Sequence, residues 1–126
     1  MTLSEQIKSC QAGAINNPFQ GSDKKVVFVC TMGILRSATA ARLYARKYNT
    51  RCAGTDPEAL VPLSVNLIEW ADELVFVNAE NYAIYMAEKD LTVLTEPDIR
   101  VLDIPDNYEH MHPRLIEAFR EQYEDF

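Results

Sequence analysis

The sequence predicts an α/β fold built on a four-stranded parallel sheet. Three observations predict it. Short strand-like runs stand at residues 26–30, 51–53, 74–77 and 99–102, and helix-compatible stretches separate them;. The runs Val-Val-Phe-Val-Cys and Leu-Val-Phe-Val are apolar throughout instead of alternating, as strands buried on both faces are. The chain of 126 residues is long enough for one real core;.

Residues 1–24 read as an extension. Ser4 can cap a short helix ending near Ile15, and Asn16-Asn17-Pro18 and Gly21-Ser22-Asp23 mark a turn-rich link;. The domain proper is residues 25–126. Its first strand is Val26 to Cys30. A helix then runs from Ala38 to Tyr48, with Ala40, Leu43, Tyr44 and Tyr48 at helical spacing;. Arg51-Cys52-Ala53 forms a second short strand closed by Gly54. Ser64 caps a helix carrying Val65, Leu67, Ile68 and Trp70;. Leu74 to Val77 is the third strand, Asn78 to Glu88 a helix, and Ile99 to Leu102 the fourth strand. Pro113 opens a last helix, where Leu115, Ile116, Phe119 and Tyr123 share a face;. On parallel sheets ligands bind beyond the carboxyl ends of the strands, and both Cys30 and Asp103 fall there.

Composition narrows the classes. Apolar residues make up 48% and charged residues 25% of the chain, ordinary for a globular protein;. No apolar run approaches a membrane span and the N-terminus lacks a signal-peptide core, so a cytoplasmic protein without membrane contact is expected. Three cysteines without regular spacing argue against a disulfide framework, and the lack of a Cys-x-x-Cys pair argues against structural zinc;. A net charge of −7 disfavours nucleic-acid binding;. Attraction for an anion must therefore be local.

Such an attraction is written into residues 26–37. A strand ends at Cys30, a short loop with Gly33 follows, and Arg36-Ser37 opens a helix. Free backbone N–H groups and the positive end of a helix dipole converge at such a place and favour both an anion and a thiolate. Arg36 can hold two phosphoryl oxygens at once. Ser37 is placed to donate its hydroxyl to the thiolate. Gly33 permits the positive φ of a tight ring of inward-facing amides. Met32, Ile34 and Leu35 offer an apolar rim suited to an aromatic leaving group. Phosphoryl transfer through cysteine also needs an acid for the leaving oxygen. Asp103 and Asp106, both just after the last strand, are the candidates, and Tyr108 can pack against a substrate ring.

The segment Cys30-Thr31-Met32-Gly33-Ile34-Leu35-Arg36-Ser37 resembles the Cys-x5-Arg-Ser phosphate loop of the low-molecular-weight protein tyrosine phosphatases. Ala53-Gly54-Thr55, Trp70-Ala71-Asp72 and Asp103-Ile104-Pro105-Asp106 resemble further family segments in the same order, especially in compact bacterial and phage members. The resemblance covers roughly residues 25–125. It implies a three-layer α/β/α fold around the four-stranded sheet and a phosphomonoesterase that needs no metal and no cofactor. Its substrate would be a phosphotyrosine protein or a small phosphomonoester. Cys30 would be the nucleophile, Arg36 the phosphate clamp, residues 31–35 the rest of the cradle and Ser37 the thiolate-stabilising hydroxyl. Asp106 would be the general acid, with Asp103 as the alternative, and Tyr108 would stand at the aromatic wall. Gly33 stands where the family usually has an Asn that braces the loop, Leu35 where many members have a second cysteine, Ala38 where a proline is frequent, and Asn107 where a proline follows the acid.

Two other readings share the loop. One is a phosphate-binding module with little turnover, which Gly33 and Asn107 make plausible. The other is a thiol-dependent arsenate reductase, which on this fold needs further cysteines, and none follows Cys52. His110 and His112 lack a third ligand and read as surface or capping residues. Cys52 reads as a buried strand residue, Cys10 as inert, and the acidic Glu121–Asp125 stretch as a solvated helix face.

Overall fold

A computed structural model describes residues 24–33, 35–88, 96–105 and 107–123. The expected helix after Ser4, Cys10, Ile34 and Asp106 lie outside the described residues. The elements run β1 (Lys25–Cys30), α1 (Arg36–Leu43), β2 (Asn49–Gly54), α2 (Val65–Trp70), β3 (Glu73–Phe76), α3 (Ala79–Glu88), β4 (Asp98–Val101) and α4 (Pro113–Tyr123). The four strands form one parallel sheet in the order β2-β1-β3-β4.

The central strands are the two with unbroken apolar sequence. Val26, Val27, Phe28 and Val29 of β1 and Leu74, Val75 and Phe76 of β3 are wholly buried. Alternate residues of each strand feed opposite faces. Val26, Phe28, Cys30 and Val75 pack with Ala40 and Tyr44, from α1 and the turn after it, and with Leu115, Phe119 and Tyr123 of α4. Val27, Val29, Leu74 and Phe76 pack with Ile68 of α2 and Tyr85 of α3. Two cores on two faces of one sheet make the three layers. Burial of each large side chain such as Phe28 or Phe119 contributes about 2–3 kcal/mol.

The helix expected over residues 38–48 is shorter and starts earlier. Its first turn contains Arg36 and Ser37, and it stops at Leu43. Tyr44 and Tyr48 keep their places in the core because turns return the chain, with the Tyr48 N–H bonded to the Tyr44 carbonyl at 2.9 Å. The Ser64 cap forms as expected, its Oγ accepting from Leu67 N–H at 3.3 Å. In α4 Leu115, Phe119 and Tyr123 are buried. Cys52 is buried on β2, as expected, but it is disulfide-bonded, which departs from the expectation of unpaired thiols. No helix among the described residues is long and apolar enough to cross a membrane.

At the end of the sheet away from Cys30, the buried Glu73 carboxylate accepts from the Tyr123 hydroxyl at 2.8 Å and pairs with Lys24 at 3.4 Å and Arg100 at 3.6 Å. A buried carboxylate needs such partners. They fasten α4 and β4 to the start of β3, and so fix the frame from which the opposite, carboxyl end projects.

Candidate functional site

The site grows from the end of β1. Cys30 is 3% exposed. Its carbonyl accepts from Thr55 N–H at 2.9 Å, and the carbonyl of Thr31 accepts from Asp56 N–H at 3.0 Å. The exit from β2 thus holds the first residues of the loop by their backbone. The chain then turns at Gly33, whose φ is +76° and whose N–H points back to the Cys30 sulfur at 3.1 Å. Residue 36 opens α1. Leu35, the N-cap residue, makes no side-chain hydrogen bond into the first turn;. Ser37, wholly buried, places its Oγ 3.0 Å from the Cys30 Sγ. An amide and a hydroxyl therefore converge on one sulfur beside the first turn of a helix, a place where backbone N–H groups and the helix dipole favour an oxyanion.

Two glycines make the loop fit. A Cβ at Gly33 would stand 2.8 Å from the Ala53 carbonyl carbon and 2.9 Å from Gly54 N. A Cβ at Gly54 would meet the Thr31 carbonyl oxygen and stand 2.7 Å from the Met32 carbonyl carbon. Both obstructions are backbone, which cannot swing aside. The Ala53-Gly54-Thr55 segment is therefore a wall against which the loop is shaped.

Arg36 is 5% exposed, and its Nη1 donates to the Ile104 carbonyl at 3.4 Å. This bond ties the guanidinium to the segment after β4, where the candidate acids lie in sequence. Asp103 is exposed, with its backbone N–H bonded to Gln122 Oε1 at 2.6 Å and its carbonyl to Gln122 Nε2 at 2.7 Å. Its backbone is thus fastened to α4, while the next residue, Ile104, meets Arg36. Tyr108 is half-buried and stacks on His112 with ring centroids 4.8 Å apart. Met32 is 38% exposed, Thr31 is exposed and Leu35 is half-buried, so the loop has an apolar rim.

Three contributors were not legible from the sequence. Asn81 of α3, 1% exposed, donates from Nδ2 to Thr31 Oγ1 at 3.2 Å and to Thr55 Oγ1 at 3.0 Å. Its own N–H is held by Asn78 Oδ1 at 2.9 Å. One amide thus joins the loop to its wall and supplies a brace that Gly33 cannot. Thr39 and His110 are the others. His110 corrects the expectation of a surface or capping residue: it is 7% exposed, with Nδ1 3.4 Å from Thr39 Oγ1. Burial, then the positive charge of Arg42, pushes its imidazole below the ordinary value, against a hydrogen bond to the Leu35 carbonyl that pulls it up;. His112 does cap, its Nδ1 accepting from Arg114 N–H at 3.1 Å. A separate cleft of about 130 Å³ opens between α2 and α3, lined by Thr55, Ile68, Ile84, Tyr85 and Glu88 among others.

No family model matches the chain. No curated protein matches it significantly. Among solved structures it is similar to a thioredoxin-dependent arsenate reductase from Corynebacterium glutamicum, at 14% identity and a TM-score of 0.46, over 97% of this chain and 68% of that one.

Proposed function

We propose that this chain is a phosphomonoesterase that works through a cysteinyl-phosphate, with phosphotyrosine in a protein as its substrate. The observation that carries the reading is the convergence of Ser37 Oγ at 3.0 Å and Gly33 N–H at 3.1 Å on the Cys30 sulfur, beside the first turn of α1. In this reading the Cys30 thiolate attacks phosphorus and the phosphorus–oxygen bond to the leaving group breaks. Arg36 and the loop amides hold the equatorial oxygens. Asp106 gives its proton to the departing oxygen, then takes one from the water that cleaves the sulfur–phosphorus bond. The apolar rim of Met32 and Leu35 suits an aromatic leaving group.

Hydrolysis of p-nitrophenyl phosphate and of a phosphotyrosyl peptide, in EDTA with reductant, tests the reading. Wild type is expected to turn over both, and Cys30→Ser to lose on the order of 10⁴-fold or more. Turnover that survives Cys30→Ser refutes it. Vanadate binding without turnover favours a phosphate-binding module. Thiol-coupled turnover of arsenate favours a reductase, although no cysteine after Cys52 is present to resolve the intermediate.

A further inference from the structure

We infer that Thr39 is a positioning residue, whose hydroxyl fixes the loop following β4 against the phosphate loop; the inference rests on the phosphatase reading above. Thr39 lies in α1, wholly buried, three residues after Arg36. Its Oγ1 donates to the Leu35 carbonyl at 2.8 Å. That bond alone means little, since threonines in helices commonly return a hydroxyl to the carbonyl four residues earlier. The same oxygen, however, accepts from the Met111 N–H at 2.9 Å and lies 3.4 Å from His110 Nδ1. One hydroxyl thus links the residue just before Arg36 to a turn 72 residues away in sequence.

Met111 itself has a φ of +60°, the one non-glycine in the left-handed region among the described residues. Such a conformation is strained for a residue with a side chain and persists only where the surroundings impose it. The Thr39 hydroxyl is a partner that imposes it here.

The second anchor completes the geometry. Arg36 Nη1 holds the carbonyl of Ile104. Residues three apart share a helix face, so Arg36 and Thr39 grip the two ends of one segment from one side of α1. The sequence between these anchors contains Asp106 and Tyr108. Both ends of that segment, Ile104 and Met111, are thus fastened to the helix that follows the phosphate loop, and under the reading above the acid is supplied from between them. Releasing the Thr39 end loosens one of the two anchors while leaving the contacts of Ser37 and Gly33 with Cys30 in place.

Protonation by the acid matters most when the leaving oxygen is basic. The test is therefore kcat/KM on phenyl phosphate and on p-nitrophenyl phosphate, for wild type, Thr39→Val and Thr39→Ser. Thr39→Val is expected to lose about tenfold more on phenyl phosphate than on p-nitrophenyl phosphate, with an unchanged inhibition constant for inorganic phosphate. Thr39→Ser, which keeps the hydroxyl, is expected to restore the wild-type ratio. Equal losses on the two substrates, or none, overturn the inference and leave the phosphatase reading standing. Wild type inactive on both substrates overturns the reading and the inference with it. Thr39→Ala, which also removes the hydroxyl, carries the same expectation and the same refutation, and serves if Thr39→Val does not fold.

Discussion

A side chain at Gly33 would collide with the backbone of Ala53: its Cβ would lie 2.8 Å from that carbonyl carbon, on a residue whose φ is already +76°. Gly33→Ala is therefore expected to cost about 1–3 kcal/mol of stability, read as a lowered urea midpoint, and to weaken vanadate binding. Gly33→Asn, which restores the residue usual in the resembling family, is expected to be no better. A variant with asparagine that is more stable than wild type refutes this account of the loop.

Ser37 acts on the sulfur it touches. Ser37→Ala removes the 3.0 Å contact with Cys30 and leaves the backbone of α1 intact. The value of kcat/KM for p-nitrophenyl phosphate is expected to fall about 10–100-fold. A wild-type value would mean that the hydroxyl contributes nothing at the sulfur.

Asn81 is the brace between the loop and its wall. Asn81→Leu keeps the number of side-chain heavy atoms and deprives the hydroxyls of Thr31 and Thr55 of their donor. The expected loss is about 2 kcal/mol, measured by denaturant unfolding, together with a weaker affinity for inorganic phosphate. The buried Asn81 Oδ1, which has no hydrogen-bond partner among the described residues, keeps the expected loss within this modest range. An unchanged affinity would show that the loop holds its shape without α3.

His110 makes stability depend on pH with a definite sign. Burial holds its folded value below the ordinary one of about 6.5;. As the pH falls below about 6.5, the unfolded chain takes up a proton that the folded protein refuses, so stability falls. The loss is complete once the pH is below the folded value. Urea midpoints at about pH 7, 6 and 5 are expected to decline more steeply for wild type than for His110→Phe. Parallel declines refute the assignment.

Much of the fold was legible because its signals are local. The uninterrupted apolar runs of β1 and β3, the Ser64 cap and the Leu115-Phe119-Tyr123 stripe each follow from a few neighbouring residues. The boundaries of α1 were less legible. Tyr44 and Tyr48 keep helical spacing while packing from a turn, because burial constrains where a ring lies and not the backbone that delivers it. Within the site, Cys30, Gly33, Arg36 and Ser37 were readable from one short segment. Asn81 and Thr39 were not, since the groups they join lie 50, 26 and 72 residues away in sequence. His110 was misread for the same reason: two histidines with a proline nearby look like a surface turn until α1 is placed against them.

The sheet order has a consequence for how the chain comes to function. β1 is central, with Cys30 in register with Gly54 on one side and Val29 with Phe76 on the other. Parallel pairings of this kind join distant parts of the chain and form slowly. A nascent or partly opened molecule thus carries the cysteine and the arginine without the wall and brace that shape them into a cradle. The geometry around the sulfur is then a late-acquired property, and it depends on both neighbours of β1 staying paired;.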